Sequence, residues 1–284
     1  MSTEAVIAGA SLPAGSCDCQ IHIFGDDARF PPRHRNPLYP TPAATIDDAQ
    51  AMHAALGFER FVIVQATVYH TDHELIFDAM SRLPRDRVRA VAVIEADVTD
   101  AQLQRMHDAG FRGARFNFQK KFGLVPSFSD FHKLVRRISD LGWFAKVFVG
   151  PSELPDVAPE LAKTSATIVL DHMCRLDFGL GVDQPIFKVL LETLKREQTW
   201  VMLSNGHRSS VQGPPWDDAV PFGSALFQAA PDRCIWGSDW PHVMQEPGSV
   251  NDGALVGLLR RYLGHDEAAL RKVLVDNPAR LFGF

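Results

Sequence analysis

The chain has little cysteine, no long apolar run and no excess of positive charge, and each shortage removes a class of protein. Its four cysteines, Cys17, Cys19, Cys174 and Cys234, are too few and too irregularly spaced for a disulfide framework, and no CxxC pair suggests a zinc ribbon. Reduced thiols are expected. No window approaches the ~20 uninterrupted apolar residues of a membrane span, and residues 1–15 lack a basic start followed by an apolar run. That reading predicts a cytoplasmic protein with no membrane partner. A net charge of -5 leaves no basic face of the size that nucleic acid requires. No G-x-G-x-x-G turn follows any candidate strand, so a dinucleotide-binding sheet has no support.

What is present is an ordinary globular composition, 46% hydrophobic and 22% charged, over 284 residues. That length falls within the range of one α/β barrel of roughly 250 residues. Residues 17–24 alternate as a strand that places Gln20 and His22 on one face. A proline-rich, aperiodic segment over 29–44 then reads as an irregular loop able to cover a site. From there helices near 46–56, 72–82, 155–163, 186–196 and 223–230 alternate with apolar strands at 61–65, 90–94, 113–118, 144–149, 167–172 and 200–204. Leu103, Met106 and Phe111 mark the inner side of a further helix. The spacing i, i+3, i+4, i+7, i+10 of Phe131, Leu134, Val135, Ile138 and Leu141 marks another. With the stretch that begins at Cys234 the strands number eight. Their continuous apolar runs argue for a closed parallel (β/α)8 TIM barrel occupying 1–284 as one domain, with an open doubly wound sheet as the competing fold.

Active sites of such barrels lie where strands end, and polar residues collect there. Cys234-Ile235-Trp236-Gly237-Ser238-Asp239-Trp240-Pro241-His242 runs from a strand into a Gly-Ser break that holds one carboxylate beside Trp240 and His242. On that segment alone, Asp239 serves equally well as a helix cap. Other strand tips add Gln20 and His22, Gln65, Thr67 and Tyr69, Arg115, then Asp171, His172 and Arg175, and finally His207 and Arg208. Histidines paired with Asp239 suggest hydrolysis, with a metal or without one. His22, His172 and Asp239 are enough ligands for one zinc, but Gln20 is a poor ligand and removes a fourth. Without metal, the same groups hold a carbonyl oxygen while Asp239 takes a proton from water. Arg115, Lys120 or Lys121, Arg175 and Arg208 supply more positive charge than one carbonyl needs, which points to an anionic substrate with one or two carboxylates.

Several motifs occur in order over almost the whole chain. They are Asp18-Cys19-Gln20-Ile21-His22, Val62-Ile63-Val64-Gln65-Ala66, Arg112-Gly113-Ala114-Arg115-Phe116-Asn117-Phe118, Asp171-His172-Met173-Cys174-Arg175, Gly213-Pro214-Pro215-Trp216-Asp217-Asp218, Gly237-Ser238-Asp239-Trp240-Pro241-His242 and Asn277-Pro278-Ala279-Arg280-Leu281-Phe282. Together they resemble the amidohydrolase-related family, in particular its 2-pyrone-4,6-dicarboxylate lactonase branch. The resemblance implies a distorted (β/α)8 barrel and metal-independent hydrolysis of a cyclic ester, with no cofactor. It implies Asp239 as the base, His22 and His172 as carbonyl ligands, and Arg115, Arg175 and Arg208 as carboxylate grips. Three positions depart from the branch: Gln20 replaces histidine, Lys121 replaces arginine and Phe148 replaces tyrosine. Gln20 is similar to a galactarolactone isomerase relative, but that relative has asparagine where this chain has Asp239. The substrate expected is a carboxylated lactone from aromatic or sugar-acid breakdown. Lactone isomerisation, a zinc-dependent hydrolase or decarboxylase, and a non-catalytic barrel that binds an organic anion are the alternatives. A homo-oligomer is compatible with all of them.

Overall fold

The computed structural model describes residues 11–33, 41–122 and 125–284. Eight parallel strands run in sequence order around a barrel: β1 (Cys17–Ile21), β2 (Arg60–Val64), β3 (Val88–Ala92), β4 (Phe111–Asn117), β5 (Phe144–Phe148), β6 (Ile168–Leu170), β7 (Thr199–Met202) and β8 (Cys234–Ile235). The final seam closes through backbone bonds beyond the end of β8. Cys19 N donates to Trp236 O at 2.9 Å, Asp239 N to Gln20 O at 3.0 Å and His22 N to Trp240 O at 2.8 Å. Gly237 permits this approach, since a Cβ there would lie 2.7 Å from Gln20 N. Register shifts between β1 and β2 and between β3 and β4 distort the barrel, as the resemblance implied.

Helices α1 (Ile46–Leu56), α2 (Glu74–Ser81), α3 (Asp100–Ala109), α4 (Phe128–Asp140), α5 (Leu154–Leu161) and α6 (Pro185–Leu194) each follow a strand. Thr45 with Asp48 and Thr99 with Gln102 form capping boxes at the starts of α1 and α3. After β7 come a single turn, α7 (Gly206–Ser209), and α8 (Val220–Ala229). Beyond β8 the chain adds α9 (Asp252–Tyr262), α10 (Glu267–Arg271) and α11 (Asn277–Phe282), for which the sequence analysis assigned no helix. Phe111, expected on the inner side of α3, instead opens β4. The reason is Gly110, which ends α3 in the left-handed region at φ 109° and turns the chain into the strand.

Two apolar layers result. Cys17, Val62, Val64, Val91, Phe144, Val169, Met202 and Ile235 fill the barrel, and Phe282 from α11 plugs it against Phe144 with rings 5.3 Å apart. A larger layer lies between strands and helices. All four cysteines are unpaired and buried. Among the described residues, no helix is long and apolar enough to cross a membrane. The central part of the proline-rich segment, 34–40, lies outside the described residues, and its flanks at 29–33 and 41–44 form no regular element.

Candidate active site

Polar side chains cluster at the C-terminal ends of the strands. β1 supplies Gln20 and, one residue past its end, His22. β6 stops at Leu170 rather than at 172, and Asp171–Arg175 forms a tight turn. His172, Met173, Cys174 and Arg175 there have φ of 50°, 49°, 55° and 53°. Four consecutive side chains in that region cost ~1–2 kcal/mol each. The turn is therefore held by its surroundings, and it aims His172 and Arg175 at the barrel axis. β7 leads to Ser204 and to Asn205, also left-handed at φ 59°, and α7 carries Arg208. Asp239, at φ 63°, stands past the end of β8.

Hydrogen bonding fixes the imidazole tautomers. His22 Nδ1 lies 2.8 Å from Val64 O and must donate to it, so Nε2 faces Asp239 Oδ1 at 3.4 Å. Gln20 is fully buried, and its Nε2 is 3.0 Å from both His172 Nε2 and Asp239 Oδ1. An amide nitrogen carries two hydrogens and no available lone pair, so it donates to both. His172 then accepts at Nε2 and donates from Nδ1 to Ser204 Oγ at 2.7 Å. Asp239 Oδ2 accepts from Asn205 Nδ2 at 2.8 Å and lies 3.5 Å from Arg208 Nη1.

This arrangement decides the charge states. Burial opposes ionisation of Asp239, but the Arg208 guanidinium and the N–H groups of Gln20 and Asn205 favour the carboxylate, and the carboxyl is held well below its usual range. Burial pushes His172 down to about 3 against the pull of Asp171 and Asp239, so the ring is neutral at pH 7. A zinc ion bound by His22, His172 and Asp239 would need the one lone pair of His172 Nε2, which already accepts an N–H group of Gln20. As placed, these residues do not fit a zinc ion.

Positive charge surrounds the carboxylate. Arg115 lies over the Phe148 ring at 4.6 Å and grips Asp171 Oδ2 through Nε at 3.0 Å and Nη2 at 2.8 Å. Asp171 is fully buried, and although burial opposes ionisation, His172, Lys146 and Arg115 bring it down to about 2. Arg208 donates from Nη2 to Val243 O at 3.0 Å. The Arg175 guanidinium makes no hydrogen bond to a described residue; burial brings its pKa down to about 10, and it remains charged at neutral pH. With Lys121 these arginines line one cup enclosing about 550 Å³ of solvent-open space around Asp239.

The cup brings together His22, Thr67, Arg115, Lys121, Phe148, His172, Arg175, Arg208 and Asp239 from the sequence analysis. Gln20 sits beneath its floor. Tyr69 and His242 turn elsewhere: the Tyr69 hydroxyl accepts from Gly25 N at 3.0 Å, and His242 Nε2 pairs with Asp252 Oδ1 at 2.8 Å. Sequence reasoning missed Asn205, Val243 and Met244 on the walls and Lys146 below. Asn205 precedes Gly206 directly after β7, a turn signal at a strand tip. Lys146 is a lone charge within the apolar run Phe144–Phe148, which the fold buries on both faces.

The model of the amidohydrolase family matches residues 17–284. The 2-pyrone-4,6-dicarboxylate hydrolase of Comamonas testosteroni is 34% identical over 280 residues, covering 95% of this chain and 91% of that protein. A 4-sulfomuconolactone hydrolase of Rhizobium radiobacter is also 34% identical, over 276 residues, covering 96% and 91%. The D-galactarolactone isomerase of Agrobacterium fabrum is more distant, at 27% over 274 residues, covering 96% and 92%. Among solved structures, an apo Agrobacterium tumefaciens protein superposes with a TM-score of 0.84 at 27% identity over 96% of this chain and 97% of that one. The match along nearly the full length, with two relatives above 30% identity, shows that this chain belongs to the amidohydrolase family.

Proposed function

We propose that the protein hydrolyses the ester bond of a carboxylated cyclic lactone without a metal, using water activated at Asp239. The observation that carries the reading is one ionised carboxylate, fixed on both oxygens by neutral donors, inside a cup lined by Arg115, Lys121, Arg175 and Arg208. Two lactone hydrolases among the relatives support the same reaction class.

Arg175 and Arg208, with Lys121, take the substrate's carboxylate groups, which orients the ring against Asp239. Water bound to Asp239 attacks the lactone carbonyl carbon, and its proton passes to the carboxylate. His22 Nε2, 3.4 Å away with its lone pair turned inward, accepts that proton onward. This relay matters because a carboxyl held well below its usual range is by itself a weak base. Neither imidazole, in the tautomers fixed above, presents an N–H to the carbonyl oxygen. The developing oxyanion is therefore assigned to the guanidinium groups, Arg115 foremost. Collapse of the tetrahedral intermediate breaks the ring C–O bond, and the leaving oxygen takes the proton back from the Asp239–His22 pair.

Retention of the carboxylate at position 239 supports hydrolysis over isomerisation. Turnover of 2-pyrone-4,6-dicarboxylate, 4-sulfomuconolactone and galactarolactone in ¹⁸O-labelled water separates the two. The expected result is ring opening with one labelled oxygen in the new carboxylate. An isomer free of label, or no turnover of any carboxylated lactone, overturns the proposal.

A further inference from the structure

Lys146 is the one described cation buried completely inside the barrel, and the proposed reaction does not touch it. It is 1% exposed, lies below the cup and projects inward from β5. Its register partner across the β4–β5 ladder is Arg115, so two cations stand side by side on adjacent strands. Between their heads sits Asp171, from the end of β6. Lys146 Nζ lies 3.3 Å from Asp171 Oδ1 and 3.3 Å from Met202 Sδ, while both Arg115 contacts fall on Oδ2.

That division is unusual for an arginine. A guanidinium left alone with a carboxylate tends to spread over both oxygens in a bidentate fork. Here Oδ1 faces the Lys146 ammonium as an ion pair at 3.3 Å, with His172 Nε2 3.5 Å away and no hydrogen bond from a described residue, and Arg115 grips Oδ2 with two of its nitrogens. Its outer edge is left to the cup, which Arg115 lines with its guanidinium over the Phe148 ring. A buried ammonium is costly unless something depends on it, because burial lowers its affinity for the proton and Asp171 only partly restores it.

We propose that Lys146 is a positioning residue for substrate binding: by holding Oδ1 of Asp171, it confines Arg115 to Oδ2 and keeps the free edge of that guanidinium presented to a carboxylate or oxyanion of the substrate. This rests on the lactone reading above. Without Lys146, Arg115 slides onto both oxygens of Asp171 and withdraws from the cup.

The test uses Lys146→Met, which keeps an unbranched side chain one atom shorter and removes the charge, and Lys146→Gln, which keeps an N–H donor without charge. Both are checked for folding by circular dichroism and thermal melting. Binding of pyridine-2,4-dicarboxylate, a non-hydrolysable dicarboxylate, is measured by calorimetry, and KM and kcat with a carboxylated lactone. The expected result is roughly tenfold weaker binding, equivalent to ~1.4 kcal/mol, together with a fall in kcat of roughly tenfold or more, because the guanidinium that withdraws is the one assigned to the oxyanion. A crystal structure of either variant is expected to show Arg115 on both Asp171 oxygens. Unchanged affinity and kcat in a folded variant, even with a lower melting temperature, reduces Lys146 to a structural role and overturns the inference. Should Lys146→Met fail to fold, Lys146→Gln decides. If the wild-type chain binds no dicarboxylate and opens no carboxylated lactone, the functional reading fails first and takes this inference with it.

Discussion

Replacing Gln20 by methionine probes the floor of the site at its most constrained point. The side chain is fully buried and has close to the right volume for methionine, so packing changes little. What is lost is a pair of hydrogen bonds, each 3.0 Å long, to His172 Nε2 and Asp239 Oδ1. A bond to a neutral acceptor contributes about 0.5–1.5 kcal/mol and one to a charged acceptor about 1.5–3 kcal/mol. The substitution should therefore destabilise the fold by about 3 kcal/mol, partly through a carboxylate oxygen left short of donors. For a chain of this size that corresponds to a melting temperature roughly 6–12 °C lower. Differential scanning calorimetry at pH 7.5 measures it, with kcat/KM measured in parallel. Activity should fall as well, because the His172 tautomer and the Asp239 carboxylate lose the group that holds them in register. A Gln20→Met protein that melts within about 2 °C of wild type would show that the amide does not bridge the two, and the exclusion of zinc argued from it would fall too.

Acid should weaken the fold before it protonates the buried carboxylates Asp171 and Asp239, which are both held low. Burial lowers His73 and His207 to about 4 and His172 to about 3, so the unfolded chain takes up these protons below pH 6.5 while the native chain does not. Stability then falls with pH, by on the order of 3 kcal/mol for each ring by pH 4, and melting curves between pH 7.5 and 4.5 should show a steep loss. A flat profile contradicts neutral buried imidazoles. Dialysis against a strong chelator should leave lactone hydrolysis unchanged, as measured by turnover alongside the protein's zinc content. Loss of activity that added zinc restores contradicts the metal-free proposal.

Much of this was legible in the residues, because strands buried on both faces leave continuous apolar runs and the barrel follows from their count and spacing. The cup was legible because its members lie at strand tips. The misses have local causes. Tyr69 and His242 follow strands as Thr67 and Asp239 do, yet a 3₁₀ turn at Thr67–Tyr69 and a left-handed residue at His242 rotate them toward Gly25 and Asp252. No residue pattern announces four consecutive left-handed residues at 172–175, since the tertiary setting imposes them. Gln20 read as a missing ligand or a substrate contact, whereas the donor role of its amide depends on two acceptors from β6 and β8 that sequence cannot place side by side. Lys146 escaped because a charge inside an apolar run was absorbed into the strand it interrupts. Its partner Asp171 becomes visible only once β5 and β6 pair.

The most direct measurement is the turnover of Asp239→Asn, which keeps the shape of the side chain and removes the charge that receives the proton. The account predicts that kcat/KM for opening a carboxylated lactone drops by about 10³ or more, as expected for loss of a general base, while pyridine-2,4-dicarboxylate binds within about threefold of wild type. Wild-type turnover by a folded Asp239→Asn protein would contradict the account, for no other ionised carboxylate among the described residues lines that cup.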